Sequence, residues 1–180
     1  MQTAYAIFGT ALGHAAVVWR DSGVVGVHLP EPDAERTRSG VLRRFAGAEP
    51  AEPSEAVSAV IAAVQALLRG EAVDLTGVEL DLAACPPFNR RVYDIARAIA
   101  PGDTLTYGEV AERLGDPLLA RAVGQALGQN PCPIVVPCHR VLAAGGRTGG
   151  FSARGGVKTK LKLLEIEGAL APESLPLFSR

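Results

Sequence analysis

Between Pro86 and Gly128 the chain is punctuated for helices three times in succession. The stretch "PFNRRVYDIARAIA" opens beside prolines, which suit a first helical turn, and sets Phe88, Val92, Ile95 and Ile99 on one face. In "PGDTLTYGEVAERLG" Thr106 stands as a cap and Gly115 as a terminator; "DPLLARAVGQALG" repeats the device with Asp116, Pro117 and an exit at Gly128. Such spacing leaves room for short helices only, the last two joined by a tight glycine turn. That matches a helix-turn-helix, although small helical bundles share the pattern. The third helix carries Arg121 among Ala120, Ala122, Val123 and Gly124. Its small residues either pack against the first helix or let it approach a groove wall, with one arginine able to fill a gap in a base stack.

The residues before this succession read differently. Residues 4–9 and 15–29 alternate apolar and small side chains around "RDSG", the pattern of a hairpin. "VSAVIAAVQALLRG" has helical spacing and stops at Gly70, and "GVELDLA" has the look of a short strand. The expected organisation is an α/β domain over 1–84, with a small antiparallel sheet and helices. A mostly α, winged-helix-like helix-turn-helix domain over 85–170 and a loose tail over 171–180 follow. "CPPFN" marks the joint.

The chain has 180 residues, enough for one large or two small cores, and 48% apolar content places it among globular proteins. The N-terminus has no basic lead ahead of an apolar block, so neither a secretory signal nor a membrane partner is expected. Cys85, Cys132 and Cys138 cannot all pair, and they match no zinc spacing. A reducing cytoplasm follows, with no metal and no cofactor. Net charge is −1, but the charges are unevenly placed. Met1 to Asp116 holds sixteen acids and ten bases, whereas Pro117 to Leu164 holds seven bases and no acid. A solvated face explains such a run; so does an anionic partner such as a nucleic acid backbone.

Within that stretch lies "IVVPCHRVLAAGG", where Cys138 sits between a proline and a histidine. A buried thiol beside a surface imidazole is the ordinary reading. The alternative is a nucleophile: a thiol attacks as its thiolate, and His139 can help it if a third group orients the ring. Glu165 and Glu167, the first acids after the basic run, are the candidates. A glycine-rich loop follows at once and can bring backbone groups close to a flat ligand.

"NPCPIVVPCHRVL", with "ARAVG" upstream and "TGGFS … KLLEIEG" downstream, resembles the O6-alkylguanine-DNA alkyltransferases, also called methylated-DNA–protein-cysteine methyltransferases. The likeness runs from about Phe88 to Gly168. It implies a ribonuclease H-like N-terminal domain and a monomeric protein that repairs double-stranded DNA containing O6-alkylguanine in a single turnover. By the same resemblance Cys138 is the alkyl acceptor, His139 with Glu167 deprotonates it through a water, and Tyr107 donates to the leaving guanine. Arg121 fills the space of the flipped nucleotide, with Ala120, Ala122 and Gly124 against the DNA. Asn130 is a hinge, and Val141, Phe151 and Ser152 line the base pocket. Leu118 and Leu119 stand where smaller residues are usual, and Phe151 where tyrosine is common. A lesion-binding module lacking the acceptor thiol, a helix-turn-helix regulator and a thiol hydrolase are the competing readings.

Overall fold

A computed structural model describes residues 2–150 and 156–170. Three antiparallel strands lead the chain: β1 (Ala4–Thr10), β2 (Gly13–Arg20) and β3 (Gly23–Glu31). A two-residue strand, β4 (Glu49–Pro50), adds to β1 in parallel, so the sheet order is β3-β2-β1-β4. The sheet is therefore mixed rather than antiparallel throughout. Gly13 holds the first turn at φ +126°, where a Cβ would collide with the Glu31 carbonyl, so only glycine fits. The run Ala15–Val18 in β2 is wholly buried because both sheet faces are covered.

On one face Ala16, Val18 and Val25 meet helix α1 (Ala34–Arg44) through Val41. The sequence pattern does not announce α1: its buried residues are only Thr37, Gly40 and Val41, too few for an apolar stripe. Its start is fixed by Asp33, whose side chain accepts from the Arg36 N–H at 2.8 Å. On the other face lies α2 (Glu55–Leu68), capped by Ser54 and burying Val57, Val60, Val64, Leu67 and Leu68. Gly70 follows in the left-handed region at φ +90°. "GVELDLA" forms no strand; a single bridge joins Leu80 to Val24. The Asp81 carboxylate takes the Ser22 hydroxyl at 2.6 Å and the Ala83 N–H at 3.1 Å, which turns the chain away after that bridge.

The three punctuated stretches become α3 (Pro87–Arg97), α4 (Tyr107–Arg113) and α5 (Ala120–Gly128). Thr106 and Glu109 close a reciprocal capping box on α4. Asp116 caps a 3-10 turn, Pro117–Leu119, rather than α5 itself, and Gly128 is the last helical residue with Gln129 beyond it. The buried stripe of α3 is Asn89, Val92, Tyr93 and Ala96, while Phe88 and Ile95 are only half-buried. The stripe is rotated because two polar groups find partners inside. The Tyr93 hydroxyl donates to the Ala126 carbonyl at 2.8 Å, and the Asn89 amide donates to the Gln129 side chain at 2.9 Å. A two-residue parallel pair, β5 (Leu105–Thr106) with β6 (Val141–Leu142), ties α4 to the chain after Cys138, and α6 (Val157–Ile166) closes the bundle. One apolar core runs from Val17 and Val64 through Tyr93 and Val123 to Leu163, so the helical half packs directly on the α2 face of the sheet. Among the described residues no helix is long and apolar enough to cross a membrane.

Candidate functional site

Asn130 stands just past the exit of α5 and is buried. Its amide oxygen accepts the Cys132 N–H at 2.9 Å, and its amide nitrogen donates to the Val136 carbonyl at 2.8 Å. These bonds span the loop from α5 to Cys138. Within it Ile134 takes a left-handed φ of +75° while almost fully buried, a conformation costly for a β-branched residue. The loop delivers Cys138 at the start of a 3-10 turn, Cys138–Arg140. The thiol is buried on most sides but forms part of the wall of a cavity of about 580 Å³. Tyr107 from α4 and Ala120, Arg121, Gly124 and Gln125 from α5 share that wall.

His139 is fully buried, with Nε2 2.9 Å from Glu167 Oε1. The carboxylate belongs to the residue that ends α6, and Arg140 grips it with two bonds, Nε to Oε2 at 2.9 Å and Nη2 to Oε1 at 2.8 Å. The remaining Arg140 nitrogen donates to the Ile99 carbonyl, anchoring the fork to the end of α3. Burial would raise the Glu167 carboxyl, but the His139 and Arg140 hydrogen bonds and charges carry it down to about 2. Burial also lowers His139, so its ring rests neutral despite the carboxylate, with Nδ1 lacking a protein partner among the described residues. Glu165, the other candidate, pairs with Lys162 at 3.1 Å instead.

Burial pushes the Cys138 thiol up; the Asn130 amide, the Lys160 charge and backbone N–H groups oppose it. Lys160 was not singled out from the sequence. It is fully buried in α6, donates to the Val141 carbonyl at 2.6 Å and lies over the Tyr107 ring, 5.7 Å from its centroid. Burial brings its ammonium down to about 8. The spacing in "VKTKLKLL" held a clue, since position 160 falls in register with Leu163 and Leu164 on the buried face. The Tyr107 hydroxyl donates to the Gly150 carbonyl at 3.4 Å, and burial raises its pKa. Gly149, at φ +66°, lies so close to that hydroxyl that a Cβ would sit 2.8 Å from it. A second hollow, about 590 Å³ between the β2–β3 hairpin and α2, has no thiol or imidazole in its wall.

The chain that carries this site has relatives among known proteins. A sequence profile described as the DNA-binding domain of 6-O-methylguanine DNA methyltransferase matches residues 87–169. The methylated-DNA–protein-cysteine methyltransferase of Mycolicibacterium paratuberculosis is 36% identical over 177 residues, which cover 97% of this chain and 98% of that one. The chain belongs to the methylated-DNA–protein-cysteine methyltransferase family. The family member from Methanothermobacter thermautotrophicus is 39% identical over 152 residues, 84% of this chain and 78% of its own. The fold matches the crystal structure of the Mycobacterium tuberculosis O6-methylguanine methyltransferase with a TM-score of 0.75 at 33% identity, covering 99% of this chain and 100% of that one. It also matches that organism's protein in complex with DNA, with a TM-score of 0.74 at 32% identity, over 94% and 95% of the two chains.

Among the residues that the family resemblance singles out, Cys138, Tyr107, Arg121, Ala120 and Gly124 share the cavity wall. Asn130, His139 and Glu167 stand behind it. Ala122 is half-buried and outside that wall, and Val141 is buried with its carbonyl engaged by Lys160. Phe151, Ser152 and the tail 171–180 lie outside the described residues. Two arginines emerge that pattern reading passed over. Arg140 holds Glu167, and Arg44 of α1 donates to the Asn130 carbonyl at 2.8 Å, linking the first half of the chain to the loop that leads to Cys138.

Proposed function

We propose that this protein repairs O6-alkylguanine in double-stranded DNA by direct reversal, keeping the alkyl group on Cys138. One observation carries the reading: a clamped Glu167–His139 pair stands behind a thiol that opens into a cavity beside Arg121. A damaged base must leave the stack before a sulfur can reach it, and α5 presents small residues and one long cation for that task. In this reading α4 and α5 act as a winged-helix-like helix-turn-helix, and Ala120, Ala122 and Gly124 approach the groove. Arg121 takes the place of the extruded nucleotide.

In the cavity, His139 Nδ1 accepts the thiol proton through a water, and Glu167 stabilises the imidazolium. The thiolate attacks the alkyl carbon attached to O6; the S–C bond forms as the C–O bond breaks, and the electron pair leaves on the guanine. Tyr107 donates a proton to the departing base and recovers one from the imidazolium. The thiol proton thus ends on guanine and the ledger of atoms closes without a cofactor. A neutral thioether has no route back to a thiol, so each molecule acts once. Val141, Phe151 and Ser152 line the base pocket in this scheme, and Asn130 holds the loop. The reading also carries a division near residue 84, a ribonuclease H-like first domain, and a cytoplasmic monomer.

The test is direct. Mixed with duplex containing O6-methylguanine, the protein gains the mass of one methylene on the Cys138 peptide. Cys138→Ser loses that gain and still binds DNA. Several turnovers per protein molecule, or a gain on Cys85 or Cys132 instead, defeat the proposal.

A further inference from the structure

We infer that Leu118 is an apolar wedge that enters the opened DNA groove next to Arg121 when the damaged nucleotide is extruded. This inference rests on the repair reading above and adds to it a second groove-inserting residue. Leu118 is 89% exposed; among the described residues the only other large apolar side chain counted as exposed is Val157, at 41%. A lone surface leucine is ordinary. Its setting is what gives it meaning.

The turn that carries Leu118 is rigid. Asp116 accepts the Leu118 N–H on its side chain at 2.9 Å and the Leu119 N–H on its carbonyl at 3.1 Å, and Pro117 restricts the backbone between them. The same turn sends Leu119 inward against the core, so the outward direction of Leu118 is built in and is not a product of slack. Leu118, Arg121, Gln125 and Gly128 follow one another as exposed positions along one side of the turn and α5. The last three belong to the cavity wall that includes Cys138, and Leu118 lies one helical turn outside it. The face that meets DNA therefore begins with a leucine and continues with the arginine.

Extruding a nucleotide leaves two kinds of surface to cover. A cation suits the hole with its flanking phosphates, while unstacked base faces and sugar edges are apolar. Proteins that kink or open DNA from the minor groove commonly insert apolar side chains between base steps. A fixed, exposed leucine beside the arginine has that chemistry. It makes no charge contact, so its contribution is independent of salt.

The experiment measures equilibrium binding of the Cys138→Ser protein to an O6-methylguanine duplex carrying 2-aminopurine beside the lesion, across a salt series. L118A weakens binding by roughly tenfold, the scale of one leucine withdrawn from water, with the salt slope unchanged. It also lowers the 2-aminopurine fluorescence that reports unstacking. L118K loses the fluorescence too but steepens the salt slope by about one phosphate contact. With native Cys138, the reaction with free O6-methylguanine base is the same in L118A, because Leu118 is not part of the cavity wall. Undiminished duplex binding and fluorescence in L118A overturn the inference. So does a native dimer that L118A dissociates without loss of DNA affinity, which would assign the leucine to a second copy. A native protein that takes no alkyl group from duplex instead defeats the repair reading, and the binding measurements still report on the wedge.

Discussion

Cys132 and Cys138 lie six residues apart in the same loop, both buried, yet their surroundings differ. Burial carries the Cys132 thiol up to about 12, and only the charges of Arg44 and Arg97 oppose it. Cys138 is also raised by burial, but the Asn130 amide, the Lys160 ammonium and backbone N–H groups all favour its anion. Only Cys138 belongs to the cavity wall. A thiol becomes a nucleophile through neighbours that stabilise charge and an opening that admits an electrophile; burial alone makes it inert. The two histidine–glutamate pairs show the same contrast. His28 lies 3.6 Å from Glu31 in the first half of the chain, partly exposed. His139 lies 2.9 Å from Glu167 with both side chains enclosed and the carboxylate gripped by Arg140.

The largest test of this contrast is exchange of the thiols. Cys138→Ser abolishes alkyl uptake, measured by the mass of the tryptic peptide, whereas Cys132→Ser retains it. Equal loss in both would erase the distinction. Next in size is the clamp. Arg140→Met leaves Glu167 buried with one partner fewer, at a cost of about 3–5 kcal/mol in denaturant unfolding. Its carboxyl then titrates well above its present value, read from the pH dependence of stability.

That dependence has a defined sign in the native protein. Glu167 is depressed to about 2 from 4.5, so its contribution is complete above pH 4.5 and disappears as pH falls through 2. His139 is depressed from 6.5, so folding favours its neutral ring and stability declines as pH drops below 6.5. Urea midpoints measured from pH 8 to pH 3 therefore fall, and removing Glu167 with Gln flattens the lower part of the curve. A midpoint that rises toward acid would contradict the clamped arrangement.

A smaller effect separates the two thiols through Lys160. With Lys160→Met, alkylation of Cys138 by iodoacetamide moves its pH profile upward and slows by roughly tenfold at neutral pH, one pKa unit of lost charge stabilisation. Cys132 does not respond. Lysine buried at a pKa of about 8 costs stability below that pH, and the cost is relieved as pH rises toward 10.5. The variant therefore also loses the rise in stability between those values. A change in stability without a shift in the profile would make Lys160 merely structural. The smallest effect is that of Cys132→Ala, about 1–2 kcal/mol for the small cavity it leaves, with unaltered uptake kinetics.

Much of the site could be read from the chain because its parts are local. Proline, glycine, threonine and aspartate mark helix ends by backbone chemistry, which is why α3, α4 and α5 were legible. The order Asn130, Cys138, His139 and Glu167 lies within one contiguous stretch. Helix α1 was not legible, since a helix that buries only three residues has no apolar rhythm. The strand expected at "GVELDLA" reduced to one bridge because side-chain bonds at Asp81 turn the chain.

By itself, the sequence determined roughly where α2, α3, α4 and α5 lie and which thiol has an imidazole beside it, because capping, φ restriction and adjacency act over a few residues. Only the tertiary structure decided which carboxylate meets that imidazole, that Arg140 holds it, that Lys160 is interior rather than part of a basic surface, and that Arg44 reaches Asn130 across 86 positions. These are contacts between distant segments, and apart from the bond of the exposed Arg44 they lie in a low-dielectric interior. Their strength comes from the exclusion of water, a property of the packed whole and not of any short stretch.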